Sequence, residues 1–411
     1  MNQAPPSLPV NLLLRPGHPD FLDLPWDLSL AEWEEVCPSL EEVPRGLSRH
    51  PVVFVNYEGC LYALKEMPAG AAENEYNLLS AIEALHLPAV APVGHASRET
   101  AQGKSSVLIT RYLDRSLPFR MLFMQGGLER YRPHLLDAMA NLLVQLHLLG
   151  IFWGDCSLSN TLFRKDAGAL QAYLVDAESA EIHVEPLSPR LRYHDLEIME
   201  ENIDGEILDL LATNILGEGL PSAGIGASIR IRYQNLWEEI TRRIILHAEE
   251  RYRIQERIRA LNALGFSIGE VIISPSNQGD HLQLRVVVTD RNFHRDQLFS
   301  LTGIEAEERQ ARQMMNEILE LQATLSQSNN RSTPLSAAAY HWLINIYQPT
   351  LDILKPIITN EIDPAELYCQ VLEHKWYLSE RASRDVGHQL AAEDFLNLFG
   401  QQIPPGSYQS G

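Results

Sequence analysis

Within "FWGDCSLSNTLF", residues 152 to 163, Asp155 and Asn160 stand five apart, an acid and an amide at D-x-x-x-x-N spacing. Such a pair suits phosphoryl transfer, whose demands on a protein are few. It needs a cation on the nucleotide phosphates, oxygen donors on Mg²⁺, and a carboxylate near the attacking hydroxyl. Three further residues complete that set: Lys65 in the strand pattern "YALKEM", Glu75 on the helix pattern after it, and Asp176 at the end of the apolar strand "AYLVDAE". A strand lysine facing a helix glutamate holds nucleotide phosphates, and an aspartate at a strand end is where a metal-binding carboxylate belongs. Each residue alone has a plainer reading. Asp155 and Asn160 could close a turn through side-chain to backbone bonds, Lys65 and Glu75 could be a solvated pair, and Asp176 could be a cap. Order, spacing and context together favour phosphoryl transfer over these plainer readings.

The elements that must position these groups are legible as patterns. "PVVFVNYEGCLYALKEM" reads as two strands around a turn at Asn56 to Gly59. "AAENEYNLLSAIEALHL" reads as a helix with Leu78, Leu79, Ile82 and Leu85 on one face, and "SVLITRYL" as another strand. Leu135 to Leu149 form a buried helix that Gly150 ends. After Asp176 the pattern turns helical, through "HDLEIMEENIDGEILDLLA" and the long run from Ser228 to Gly265. "EVIIS" and "LQLRVVVTD" predict a hairpin, "EAEERQARQMMNEILELQATL" a long amphipathic helix, and two more helical patches follow. The expected fold is α+β: a bilobal domain followed by a mostly helical C-terminal domain containing a β-hairpin. The expected boundaries are an irregular arm over 1–30, a first domain over 31–245, a C-terminal domain over 246–398, and a disordered tail over 399–411. Within the first domain the small lobe takes 31–112 and the large lobe 113–245.

The chain has 411 residues, 45% of them hydrophobic, which is enough for two or three cored domains. Its formal charge of −21 argues against broad, sequence-independent binding to nucleic acid. Cys37, Cys60, Cys156 and Cys369 show no C-x-x-C spacing, so neither a zinc framework nor a disulfide scaffold is expected. The first twenty residues are Pro-rich and do not read as a signal peptide, and no apolar run reaches membrane-spanning length. A cytoplasmic setting is expected.

Six stretches carry a resemblance to a known family: "PRGLSRHPVVFV", "YALKEM", "WGDCSLSNTLFR", "YLVDAE", "RYRIQERIRALNALGF" and "EHKWYLSE". Over most of residues 20 to 395 the chain resembles a bacterial protein-kinase-like family. That family joins a lipopolysaccharide (Kdo) kinase-like domain, on the aminoglycoside-phosphotransferase side of the superfamily, to a C-terminal domain of unknown function. The resemblance implies a bilobal kinase fold using ATP and Mg²⁺, and names no acceptor. It would make Lys65 the phosphate-binding lysine, Glu75 its partner, and Asp155 the catalytic base or hydroxyl orienter. Asn160 and Asp176 would hold Mg²⁺, and Asp195 in "YHDLEI" would brace the catalytic loop from a core helix. Residues 108 to 113, "LITRYL", would supply the segment against which adenine packs.

The chain also departs from the kinase pattern. "GLSRHP" has one glycine, Gly46, where a glycine-rich loop belongs, so Ser48, Arg49 and His50 are candidates for phosphate contacts. Trp-Gly precedes Asp155 in place of His-Arg, and Ala177 and Glu178 follow Asp176 in place of Phe-Gly. Only eighteen residues separate Asp176 from Asp195, and no Ala-Pro-Glu follows. That leaves little room for a peptide platform and favours a small-molecule, sugar or lipid hydroxyl as acceptor. Ser157, where Ser/Thr protein kinases carry a lysine, points the same way. Two other functions compete. One is a pseudokinase acting as a nucleotide-responsive scaffold, and the other is nucleotidyl transfer by a kinase fold. In the C-terminal region Trp342, Trp376 and Tyr377 read either as docking anchors or as the domain's own core.

Overall fold

The computed structural model describes residues 10–43, 50–100, 103–119, 121–124, 128–183, 186–212, 224–242, 244–247, 268–275, 281–288, 293–328, 331–359 and 362–399. The chain divides into two compact units. The first comprises Met1–Arg164 and Ala172–Glu238, and the second Lys165–Gln171 and Glu239–Gly411. The division falls at Glu238/Glu239 where the sequence suggested 245/246, and the short internal piece 165–171 had no counterpart in the sequence reading.

The first unit opens with a five-stranded antiparallel sheet. Its strands are β1 (Val10–Leu14), β2 (Val52–Tyr57), β3 (Cys60–Pro68), β4 (Pro92–Thr100) and β5 (Gly103–Arg111), in the order β1-β4-β5-β3-β2. Helix α1 (Ala71–Ala84) connects β3 to β4. Strands β2 and β3 meet at Glu58 and Gly59, both at positive φ, as a two-residue hairpin turn with the right-handed strand twist requires.

The expected irregular arm is instead structured over its described part. Strand β1 pairs with β4 from Val10↔Arg98 to Leu14↔Gly94. Phe21, Leu24, Trp26, Leu30 and Trp33 then fill the core against Val55, Leu64, Val107 and Ile109. Trp26 and Trp33 meet edge to face at 5.5 Å, and each indole N–H is spent on a nearby carbonyl, of Phe21 and Leu28 respectively. Proline marked this segment as irregular, but buried aromatic area outweighs local propensity.

The rest of the first unit is mainly helical. After the sheet come β6 (Leu117–Pro118), α2 (Met121–Met124), α3 (Leu135–Leu148), β7 (Ile151–Phe152), β8 (Thr161–Asp166), β9 (Ala169–Leu174), β10 (Glu181–Ile182), α4 (Pro189–Ala212) and α5 (Ile225–Thr241), of which residues 165–171 and the last turn of α5 from Glu239 on count with the second unit. Helix α3 is apolar nearly all round, with ten of its residues buried, as a central helix must be. Strands β8 and β9 are neighbours in a three-stranded sheet with β6.

The second unit contains β11 (Ile244–His247), β12 (Ile268–Pro275) and β13 (His281–Val288), in the order β11-β13-β12. The expected hairpin is therefore a three-stranded sheet: Ile244 to His247, read as helix, pair antiparallel with β13. Helices α6 (Phe293–Thr302), α7 (Glu308–Ser328), α8 (Leu335–Trp342), α9 (Gln348–Leu354), α10 (Pro364–Ala382) and α11 (His388–Phe399) follow. Their core gathers Leu298, Met314, Met315, Ile318, Trp342, Tyr347 and Tyr368. At its centre the Glu317 carboxylate accepts from the Trp342 indole, the Tyr368 hydroxyl and the His388 ring. Trp342 is thus core and no docking anchor, whereas Trp376 and Tyr377 are 59% and 51% exposed. The expected disordered tail lies outside the described residues, except for its first residue, which ends α11.

Candidate active site

Lys65 is the sixth residue of β3, paired with Val52 of β2 on one side and Leu108 of β5 on the other. Its Nζ lies 3.1 Å from Glu75 Oε2 and 2.6 Å from Asp176 Oδ2, so one ammonium joins helix α1 to the chain just beyond β9. Glu75 is 1% exposed, and its other oxygen accepts the N–H of Ala177 at 3.1 Å. Burial first, and then the charge of Asp176, push the Glu75 carboxyl upward, against the pull of Lys65. Burial lowers the Lys65 pKa, but the charges of Glu75 and Asp176 outweigh it and leave the lysine above its ordinary value. These two directions bear on one ion pair. The lysine's is the firmer, because two carboxylates at hydrogen-bond distance both favour the ammonium.

The Asp176 carboxylate is turned by its own backbone: Oδ1 accepts the N–H of Glu178 at 3.1 Å. Glu178 reaches 3.8 Å from Lys65 Nζ, and His50 lies 3.5 Å from Glu178. Among the described residues, Glu75, Asp176 and Glu178 are the one group whose ligand oxygens all lie within 4.8 Å of one another. Carboxylate oxygens are hard donors of the kind Mg²⁺ takes, so these three carboxylates fit the ion that the resemblance implies; the Asn160 amide instead donates to Asp155. Ser48 and Arg49 lie outside the described residues.

Asp155 and Asn160 face each other across the loop. The Asn160 amide donates to Asp155 Oδ2 and to the Asp155 carbonyl, both at 3.0 Å. Ser157 Oγ accepts the Asn160 N–H, and the Thr161 hydroxyl donates to the Ser157 carbonyl, which closes the loop onto β8. Asp195 braces the loop's start: Oδ2 accepts the Trp153 N–H at 2.8 Å and Oδ1 the Gly154 N–H at 2.9 Å. His147, fully buried, contacts Asp195 Oδ2 through Nε2 at 3.0 Å and the Tyr233 hydroxyl through Nδ1 at 2.8 Å. Burial lowers the His147 pKa, so the ring is neutral, donating from Nε2 and accepting at Nδ1.

Trp153 and Gly154 have their own reasons for standing where kinases carry His-Arg. The Trp153 indole N–H donates to the Asp176 carbonyl at 2.9 Å, tying the loop to the chain just beyond β9. Gly154 sits at φ +76, and a Cβ there would meet the Ser179 carbonyl oxygen at 2.7 Å. Cys156, between them and Ser157, is fully buried, and that burial pushes its thiol pKa well up.

Two residues of this site went unread in the sequence. Asn202 donates to Asp155 Oδ1 at 2.9 Å and to the Cys156 carbonyl at 3.3 Å. Glu206 accepts the backbone N–H groups of Leu158 and Ser159, and the Ser159 hydroxyl as well. The signal was present: Asp195, Asn202 and Glu206 are spaced by seven and four on α4, two turns and one turn along a single face. The loop is therefore held in order along its length, by Asp195 at 153–154, Asn202 at 155–156 and Glu206 at 158–159.

Residues 60–212 match the lipopolysaccharide kinase (Kdo/WaaP) family, and residues 235–399 match a domain of unknown function (DUF4032). No curated protein matches the chain significantly. A solved structure described as WaaP in complex with acyl carrier protein is 17% identical, with a TM-score of 0.33, and the match covers 55% of this chain and 89% of that one. A crystal structure of an aminoglycoside-3'-phosphotransferase of type VIII is 14% identical, with a TM-score of 0.34, covering 51% of this chain and 91% of that one. Among the described residues, no helix is long and apolar enough to cross a membrane.

Proposed function

We propose that this chain, a lipopolysaccharide kinase (Kdo/WaaP) family domain joined to a domain of unknown function, is an ATP- and Mg²⁺-dependent phosphotransferase acting on a small-molecule, sugar or lipid hydroxyl. The observation that carries it is the convergence of Lys65, Glu75 and Asp176 on one ion-pair cluster. ATP with its metal would supply the phosphoryl group and neutralise charge as it develops. Asn160 and Asp176 would hold Mg²⁺, and Lys65 would exchange part of its carboxylate contact for phosphate oxygens. Asp155, both of whose oxygens are oriented by amide N–H groups, would accept the acceptor hydroxyl's proton. The family name supports a sugar or lipid acceptor. The short interval between Asp176 and Asp195 argues against a peptide.

The test incubates the full chain with labelled ATP, MgCl₂ and pooled metabolites. Acceptor-dependent ADP supports phosphoryl transfer. Pyrophosphate release would replace this reading with nucleotidyl transfer, and Mg²⁺-dependent nucleotide binding without turnover would replace it with a pseudokinase.

A further inference from the structure

The residues read as metal holders, Asn160 and Asp176, flank one β-hairpin at its base. Asn160 immediately precedes β8, and Asp176 follows β9 by two residues; the Val175 N–H donates to the Asn160 carbonyl at 3.1 Å and closes the base. Ala167 and Gly168, both at positive φ, make the two-residue turn at the other end. Six residues of strand separate tip from base, about 20 Å at the usual rise. The base belongs to the first unit and the tip, Lys165–Gln171, to the second.

Within the second unit the tip is held by a set of hydrogen bonds. Asp166 Oδ1 accepts the N–H groups of Arg309 and Gln310, both at 3.0 Å, and so caps the first turn of α7 from outside the helix. Glu366, in the first turn of α10 and 2% exposed, returns the bond: Oε2 accepts the Ala167 N–H at 2.6 Å and Oε1 the Gly168 N–H at 3.2 Å. The Gln310 amide donates to the Lys165 carbonyl and to Glu366 Oε2, both at 3.0 Å. The Ala167 side chain packs with the second unit's core. A hairpin tip needs none of this to turn, since Ala-Gly at positive φ suffices.

We infer that the C-terminal domain is a positioning device for the phosphoryl-transfer site: Glu366, Gln310 and Asp166 clasp the hairpin tip and thereby fix the spacing of Asn160 and Asp176 at its base. The inference rests on the reading of those two residues as Mg²⁺ holders. The clasp touches neither metal holder directly; it would act on them through the paired strands between tip and base, a coupling of the kind that distant substitutions change by a few-fold. The coupling is reciprocal, so occupancy at the base tightens the tip.

The test uses the full chain, a fluorescent ATP analogue and titrated MgCl₂, in wild type, Glu366→Ala and Glu366→Gln. The alanine variant should raise the Mg²⁺ concentration for half-maximal binding about threefold or more. The glutamine variant, whose amide oxygen still accepts one N–H, should raise it less. Affinity for the nucleotide without metal should not move. A merely structural role would lower the signal amplitude and leave the midpoint in place. An unmoved midpoint in a variant with wild-type circular dichroism overturns the inference. Should both variants fail to fold, amide exchange of the wild type decides: slower exchange at Ala167 and Gly168 on adding Mg²⁺ and nucleotide supports the clasp, and no change overturns it. Absence of any Mg²⁺-dependent nucleotide binding in wild type overturns the site reading itself, and the clasp with it.

Discussion

Asp155 spends both of its carboxylate oxygens on amide donors, Oδ2 on Asn160 and Oδ1 on Asn202. A hydrogen bond to a charged group contributes about 1.5–3 kcal/mol, enough to fix which lone pairs point toward an incoming hydroxyl. Asp155→Asn keeps the shape and removes the proton acceptor. Its turnover should fall by about 10²–10⁴, with Mg²⁺-dependent nucleotide binding unchanged. ATP consumption and nucleotide titration on the same preparation check this, and normal turnover would end the catalytic assignment. Asn202→Ala leaves the acid in place but unheld on one side. A fall of about tenfold in kcat with an unchanged KM for ATP is expected, and an unchanged kcat would show the bond to be incidental. Asp155 could be read from the sequence because its partner Asn160 lies in the same short stretch. Asn202 could not, because its relation to Asp155 exists only once α4 lies along the loop.

At the scale of elements, the loop before Asp155 depends on a backbone conformation that only glycine adopts cheaply. Gly154→Ala would pay about 1–3 kcal/mol for a side chain at positive φ. The contact with the Ser179 carbonyl adds to that, because the obstacle is backbone and cannot swing away. Gly59 has a similar φ of +80 but open space around it, so Gly59→Ala isolates the conformational cost. Thermal unfolding should show the larger loss in Gly154→Ala. Turnover should survive in Gly59→Ala alone. Strands β2 and β3 and helix α1 were legible because alternation and helical periodicity coincide with strong local signals. Strand β4 was missed because "PVGHASRET" is polar and contains Gly94, and its buried place is created by β1 and β5 on either side. Strand β11 was missed because "IILH" sits within a helical run, and pairing with β13 overrides that periodicity.

Across the whole molecule, one buried acid makes stability depend on pH near neutrality. Burial, and then the charge of Glu307, push the Asp166 carboxyl up to about 7 from 3.8, against Arg309 and the Gln310 N–H, with Glu366 adding to the rise. Arg312 also faces this group. An acid raised by folding stabilises the fold while protonated. That contribution is complete below about pH 4 and lost as pH rises through about 7. Asp166→Asn caps α7 as well as the acid does and cannot ionise. Its melting temperature should match wild type at pH 4 and exceed it at pH 8, in a series of thermal unfolding curves. Equal curves at both ends would show that the carboxyl is not perturbed.

Cys156 and Cys369 are sealed, one within the Asp155 loop and one in the second unit's core, and burial raises both thiols well above the ordinary value. A thiol reagent attacks the thiolate and needs access, so each sulfur stays silent until its surroundings open. Cys156 and Cys369 therefore serve as two clocks, one in each unit, read by mass spectrometry without any added label site, with buried Cys37 a third thiol in the first unit's core. Cys60, half-exposed, reacts early and serves as the zero of time. With ATP and Mg²⁺ present the Cys156 clock should slow. If the hairpin transmits occupancy to its tip, the Cys369 clock, which ticks in the same helix as Glu366, should slow with it.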